Sequence, residues 1–199
     1  MKDRFIELYQ KLITRPGADK LLAWLETTDF FTAPASTRFH LSRPGGLVEH
    51  SIHVYERLEN LVADEEAFPG RPFGEDFTIS NETIAICGLL DDICKANFYT
   101  VEMRNRKNEQ GQWEKYPFYV VNDQLPYGHG EKSVYIISGF MKLTREEAMA
   151  IRWHMGFSDN DFKAGGFSVG NAFEKFPLAL LTHIADLQAT YLDEPREDT

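Results

Sequence analysis

The sequence predicts a mainly α-helical single domain with one β-hairpin insertion at about residues 99–121. Three observations lead there. Apolar residues recur at helical spacing through most of the chain, as in Leu47, Val54, Leu58 and Leu61. One region departs from that spacing. FYTVEMRNRK and QWEKYPFYVV flank the polar turn NEQG, and both are rich in aromatic and β-branched residues in partial alternation. Finally, 199 residues that are 43% hydrophobic, without repeat or linker, suffice for one core burying about 70% of the unfolded surface.

The elements follow in order. Phe5, Ile6, Tyr9, Leu12 and Ile13 share a helical face that ends at Pro16–Gly17, and Leu21, Leu22 and Leu25 mark a second helix over 18–27. A loop containing Pro34 and Ser36 leads to Pro44–Gly45–Gly46, which opens a helix over 46–63. The Pro/Gly-rich stretch 64–79 reads as loop, and Ser80 or Asn81 caps a helix to about Asn97. After the hairpin, 129–141 is expected to be helical. Thr144 and Glu147 form a capping-box pattern that starts a helix over 145–155. A Gly-rich loop is expected over 156–169, a long helix over 171–192, and a polar tail, EPREDT. The N-terminal helices thus occupy 1–37, the site-bearing core 38–192 and the tail 193–199.

Composition narrows the function. A net charge of −10 argues against a partner that is a nucleic acid polymer, which requires a broad basic face. A small anionic substrate remains open, because a metal or a few local cations set the field inside a cleft. No run of 18 apolar residues marks a membrane span. The start, MKDRFIELYQKLITRPG, has no signal-peptide apolar block, so the expected location is cytoplasmic. Cys87 and Cys94, about 10 Å apart if on one helix, read as free buried thiols.

The stretch GLLDDICKANFY sets two aspartates, Asp91 and Asp92, among apolar neighbours. Buried carboxylates are costly unless a cation, hydrogen bonds or a metal satisfies them. Six histidines are available: His40, His50, His53, His129, His154 and His183. H-E-x-x-H, paired C-x-x-C, an EF-hand loop, a phosphate loop ending in Lys-Ser/Thr and G-x-S-x-G are all missing from the sequence. What stands out is an ordered series: His50, Asp91–Asp92, His129, His154, Asp186.

In GGLVEHS, LLDDICKANFY, GHGEKS, AIRWHMG and HIADLQATY the chain resembles the HD-domain metal-dependent phosphohydrolases, from about residue 38 to 192. The family order is His, His-Asp, two further histidines in two-metal members, then a late Asp. Here Asp91 stands where the family has the histidine that names it. The resemblance implies an HD-domain helical bundle holding one or two divalent ions, with Mn, Fe, Mg, Ni and Zn as candidates. His50, Asp91, Asp92 and Asp186 would hold one ion, and Asp92 would bridge to a second held by His129 and His154. The implied activity is hydrolysis of a small phosphorylated substrate, a nucleotide or other phosphate ester, through a metal-activated water. The implied catalytic residues are Asp92 and Lys95.

Asp91 leaves two readings open. As a ligand it adds negative charge and shifts preference toward Mn²⁺ or Mg²⁺. Alternatively it pairs with Lys95 one turn on, and the protein is a catalytically degenerate nucleotide-binding or regulatory module. A third reading is a structural helical protein whose polar residues merely pair. Lys95, Lys132, Arg152 and His183 are the candidate substrate contacts, with Arg43 as a further possible phosphate contact. His53 reads as surface or as support for His50, and His40 is unassigned.

Overall fold

A computed structural model describes residues 1–68, 78–158 and 167–194. These residues form eight α-helices and one two-stranded antiparallel sheet, a mainly helical fold. The helices are α1 (Lys2–Leu12), α2 (Ala18–Thr27), α3 (Gly46–Glu66), α4 (Asn81–Leu90), α5 (His129–Ser138), α6 (Arg145–Arg152), α7 (Ser168–Lys175) and α8 (Pro177–Gln188). The strands β1 (Tyr99–Lys107) and β2 (Trp113–Val121) pair from Tyr99↔Val121 to Lys107↔Trp113, matching the expected hairpin.

Helix α3 is the spine and packs on α4, α8 and α1. Its buried stripe of Leu47, Ile52, Val54, Leu58 and Val62 meets Phe5, Tyr9, Ile86 and Leu89 in one core. Close approach of α3 and α4 depends on Gly88, because a Cβ there would lie 2.5 Å from Tyr55 Cα. Two caps form as the sequence specifies. Ser80 Oγ accepts the Thr83 N–H at 3.1 Å, and the Thr144 and Glu147 side chains each accept the other's backbone N–H.

Several boundaries differ from expectation, each for a local reason. Helix α3 continues to Glu66, into the segment expected as loop, through the helix-tolerant ADEE. Pro69–Gly70 and the rest of that expected loop to residue 77 lie outside the described residues. Helix α4 stops at Leu90 rather than Asn97. The Asp91 carboxylate takes the Asp92 N–H at 2.9 Å, Asp92 leaves helical dihedrals (φ −100°, ψ 16°), and a single 3₁₀ turn spans Ile93–Lys95. Helices α5 and α6 end at Ser138 and Arg152, three residues short of expectation.

The expected helix over 171–192 is broken. Phe176 leaves helical dihedrals (φ −133°, ψ 84°) because it precedes Pro177, which starts α8 at its first position. Helix α8 then widens into a π-helical turn over Ala189–Asp193. Within the expected loop over 156–169, Gly156–Ser158 form a 3₁₀ turn and α7 begins at Ser168; residues 159–166 lie outside the described set. Among the described residues, no helix is long and apolar enough to cross a membrane.

Candidate metal centre

Five separate places in the chain supply the ordered series. His50 lies in the first turns of α3, Asp91 and Asp92 just beyond α4, His129 at the start of α5, His154 just past α6, and Asp186 on α8. The structure brings all six side chains together. Ending α4 at Leu90 matters, because neighbouring residues on a continuous helix diverge by about 100°.

Asp92 is the hub, and its two oxygens face different partners. Oδ1 lies 2.7 Å from His129 Nε2 and 3.4 Å from His154 Nε2. Oδ2 lies 3.4 Å from His50 Nε2 and 2.6 Å from Lys95 Nζ. His50 Nε2 is also 3.2 Å from Asp186 Oδ1. Burial works against ionisation of Asp92, yet Lys95 and the surrounding imidazoles hold it well below the usual carboxylate range. Burial and the adjacent Asp92 carboxylate push Asp91 the other way, upward.

The donor set suits a divalent ion. Donor atoms of His50, Asp91 and Asp186 lie within 4.8 Å of one another, as do those of Asp92, Cys94 and His129. Ligands around one such ion spread over about 3–5 Å. Two buried atoms in the cluster, Asp91 Oδ2 and His154 Nε2, make no hydrogen bond. His154 Nδ1–H donates to the Ile151 carbonyl at 2.7 Å, which leaves Nε2 as the ring nitrogen turned toward Asp92. Buried polar atoms without partners are uncommon, and a bound cation is one way to satisfy both. These buried His, Asp and Cys groups are therefore able to hold a metal ion.

Lys95 does not pair with Asp91, as one sequence reading allowed, but with Asp92. It lines a cleft of about 480 Å³ together with His50, Asp92, His183 and Asp186. His183 is fixed there. Its Nδ1–H donates to the His154 carbonyl at 2.7 Å, its ring stacks on Phe173, and the missing Cβ of Gly156 leaves room for the ring, since a Cβ there would lie 2.5 Å from Cε1 and Nε2. Lys132 and Arg152 are placed elsewhere. Lys132 Nζ binds Asp123 Oδ1 at 2.5 Å beside the Phe98 ring, and Arg152 pairs with Glu131 and covers the Trp153 ring. Neither is among the residues lining the cleft. Arg43 binds Glu49 through both carboxylate oxygens.

Glu194 and His40 were not legible as site residues. Glu194, expected in the polar tail, is buried. It lies 3.1 Å from His50 Nδ1 through each oxygen and accepts from His53 Nδ1 at 2.8 Å. Burial opposes its charge, but His50 and His53 hold it down at about 2. The His40 ring tilts against His50 at 5.0 Å, and burial with the nearby His50 pushes it down to about 4. The sequence signal for His53 was its spacing from His50; Glu194 gave none. Cys94 Sγ sits 3.4 Å from His129 Nδ1, and burial pushes that thiol up to about 12. Both cysteines are free.

Comparison of the chain with protein-family models, curated proteins and solved structures found no match.

Proposed function

We propose that this chain is an HD-type metal-dependent phosphohydrolase or phosphodiesterase acting on a nucleotide or another small phosphate ester. One observation carries the reading: the two oxygens of Asp92 are divided between the His50/Asp186 group and the His129/His154 group. That division is what a carboxylate shared by two ions requires. His50, Asp91, Asp92 and Asp186 would hold one ion, and Asp92, His129 and His154 the other. When bound, divalent ions supply Lewis-acid polarisation of a phosphoryl oxygen and bring the pKa of a water toward neutrality.

The chain's own groups do the rest. Lys95 keeps Asp92 ionised and carries a positive charge into the cleft where a substrate phosphate would lie. Glu194 fixes the tautomer and ring plane of His50, so that Nε2 faces Asp92 and Asp186. His183, locked by the His154 carbonyl, orients substrate from the lining of the same cleft.

The test is a panel of nucleotides, cyclic dinucleotides and simple phosphate esters assayed with Mn²⁺, Mg²⁺, Fe²⁺, Ni²⁺ and Zn²⁺. Turnover that stops with chelator and returns with metal is expected. No turnover with any ion would contradict the proposal. A second reading, nucleotide binding without turnover, is favoured by Asp91, a third acid beside Asp92 and Asp186. It predicts a saturable nucleotide complex in the same panel, with no product.

A further inference from the structure

The β1–β2 hairpin adds little to the core, since along β1 every residue after Tyr99 is exposed. A two-stranded ribbon is marginal by itself, and each strand keeps one edge with no neighbour in the sheet. The two edges differ. The Asn122 N–H donates to the Phe98 carbonyl at 2.8 Å, and the Asn108 N–H to the Gln112 carbonyl at 2.9 Å. Carried through the unbroken register, these bonds make the even-numbered residues of β1 the ones that bond to β2. The N–H and C=O groups of Val101, Met103 and Asn105 therefore point outward. Among the described residues, no backbone group pairs with them. On β2 the outward position opposite Met103 is Pro117, which has no N–H to offer, so that edge is interrupted at its middle.

An open edge is a template for another strand, and Pro and charges are the usual guards. Pro117 guards β2. The charges of β1 have a different property, because their order is complementary to itself. In an antiparallel pairing of β1 with a second β1 centred on Met103, Glu102 of each strand stands opposite Arg104 of the other. The outward groups of Val101, Met103 and Asn105 then meet one another, and the strands overlap from Tyr99 to Lys107. Glu102 and Arg104 fall at the non-hydrogen-bonded positions, where opposed side chains come closest. Moving the centre by one residue sets Glu102 against Glu102 or Arg104 against Arg104, and like charges directly opposite are destabilising. Larger shifts shorten the overlap. Both side chains already share one face, with the Arg104 guanidinium 3.9 Å from Glu102 and over the Phe118 ring. The 37–44 loop shares a cavity with β2 from Tyr116 to Tyr119, and none of Glu102, Met103, Arg104 or Asn105 lines it.

We propose that the outer edge of β1 is a self-association surface, where a second copy of this chain adds its own β1 antiparallel, in the register centred on Met103. The pairing is two-fold symmetric, and it closes at two copies because Pro117 interrupts the other edge. It also brings together the exposed Val101 and Met103 side chains of both copies along one face. Neither the metal centre nor the phosphohydrolase reading enters this pairing.

The test is sedimentation equilibrium of the full chain over a concentration series. It compares wild type, Glu102→Arg, Arg104→Glu, the Glu102→Arg/Arg104→Glu exchange and Met103→Pro. All three positions are exposed, the proline removes an N–H that the β1–β2 ladder does not use, and circular dichroism checks that each variant folds. A monomer–dimer equilibrium is expected for wild type, weakened at least about tenfold by either single charge reversal and regained in the exchange. An equimolar mixture of the two single variants should dimerise more tightly than either alone, and Met103→Pro should be monomeric. Wild type that stays monomeric throughout the series overturns the proposal, as does assembly beyond two copies. Dimers that survive the single reversals or the folded proline variant place the contact on another surface and overturn it too. An exchange variant that stays as weak as the single reversals rejects the register. Should the proline variant not fold, the charge series decides alone.

Discussion

The Glu194 carboxylate lies 3.1 Å from His50 Nδ1 through each of its oxygens, so the opposite nitrogen of His50 is aimed at Asp92 and Asp186. A carboxylate behind a metal-binding imidazole fixes its tautomer and raises its basicity, and losing such a partner costs about 10–100-fold in metal affinity. Glu194→Gln is therefore expected to weaken Mn²⁺ binding by about that factor, read by competition with a chromophoric chelator. Unchanged affinity would separate Glu194 from the metal centre.

Asp91 supplies an oxygen donor where the resembled family has a nitrogen. The Asp91→His variant removes one of the acids crowded around His50, and a neutral imidazole does not repel Asp92. Tighter metal binding is expected, with preference moving from Mn²⁺ and Mg²⁺ toward Zn²⁺ or Ni²⁺. Activity should be at least that of the native chain. Lower metal occupancy in this variant would show that Asp91 does not face the ion.

Gly156 holds the pocket for His183. A Cβ at this position would lie 2.5 Å from both Cε1 and Nε2 of the ring, and the backbone φ of +51° disfavours a side chain. Gly156→Ala is expected to displace His183, raising KM at least about fivefold while the metal content measured by mass spectrometry stays constant. An unaltered KM would remove His183 from the substrate-orienting wall.

Away from the cleft, Arg15 joins the α1–α2 connection to α4 and α6. Its guanidinium meets both Glu147 oxygens at 2.7 and 2.8 Å, while Thr83 Oγ and the Thr144 N–H satisfy the rest of that buried carboxylate. Burial opposes the Glu147 charge, but Arg15 and the hydrogen bonds outweigh it and hold the group below its ordinary value of 4.5. A depressed carboxylate contributes stability that is complete above its unfolded value and lost as pH falls through its folded one. Urea denaturation should show stability declining below about pH 4.5, with a shallower decline in Glu147→Gln. Glu147→Ala should cost about 3–5 kcal/mol at neutral pH, because Arg15 is left without its main partner. A loss below about 1 kcal/mol would show that the pair contributes little.

The local signals in the sequence were those that act over a few residues. The Thr144/Glu147 capping box, the hairpin with Gly111 in its turn and the apolar stripe of α3 all depend on short spacing, and each formed. Helix ends set by side-chain competition were harder to see. Asp91 stops α4 by capturing a backbone N–H, and Pro177 stops α7 through the residue before it. The ordered His/Asp series could be found because its members are of the residue types that bind metals. Glu194 could not, since a π-helical turn is needed to swing an acid from a polar tail onto His50. Lys132 and Arg152 were attractive as cations near ligand positions, but Asp123 and Glu131 hold them within the scaffold.

In the proposed function Asp92 organises the hydrolytic metal centre through both of its carboxylate oxygens. The most direct test compares Mn²⁺-dependent hydrolysis of the phosphate-ester panel by the native chain and by Asp92→Ala, with circular dichroism confirming that the variant folds and Asp92→Asn as the conservative partner. Measurable turnover by the native chain is expected, with a loss of at least about a hundredfold in both variants. Equal rates in the native chain and both folded variants, or no hydrolysis by any of them, would contradict the proposed function.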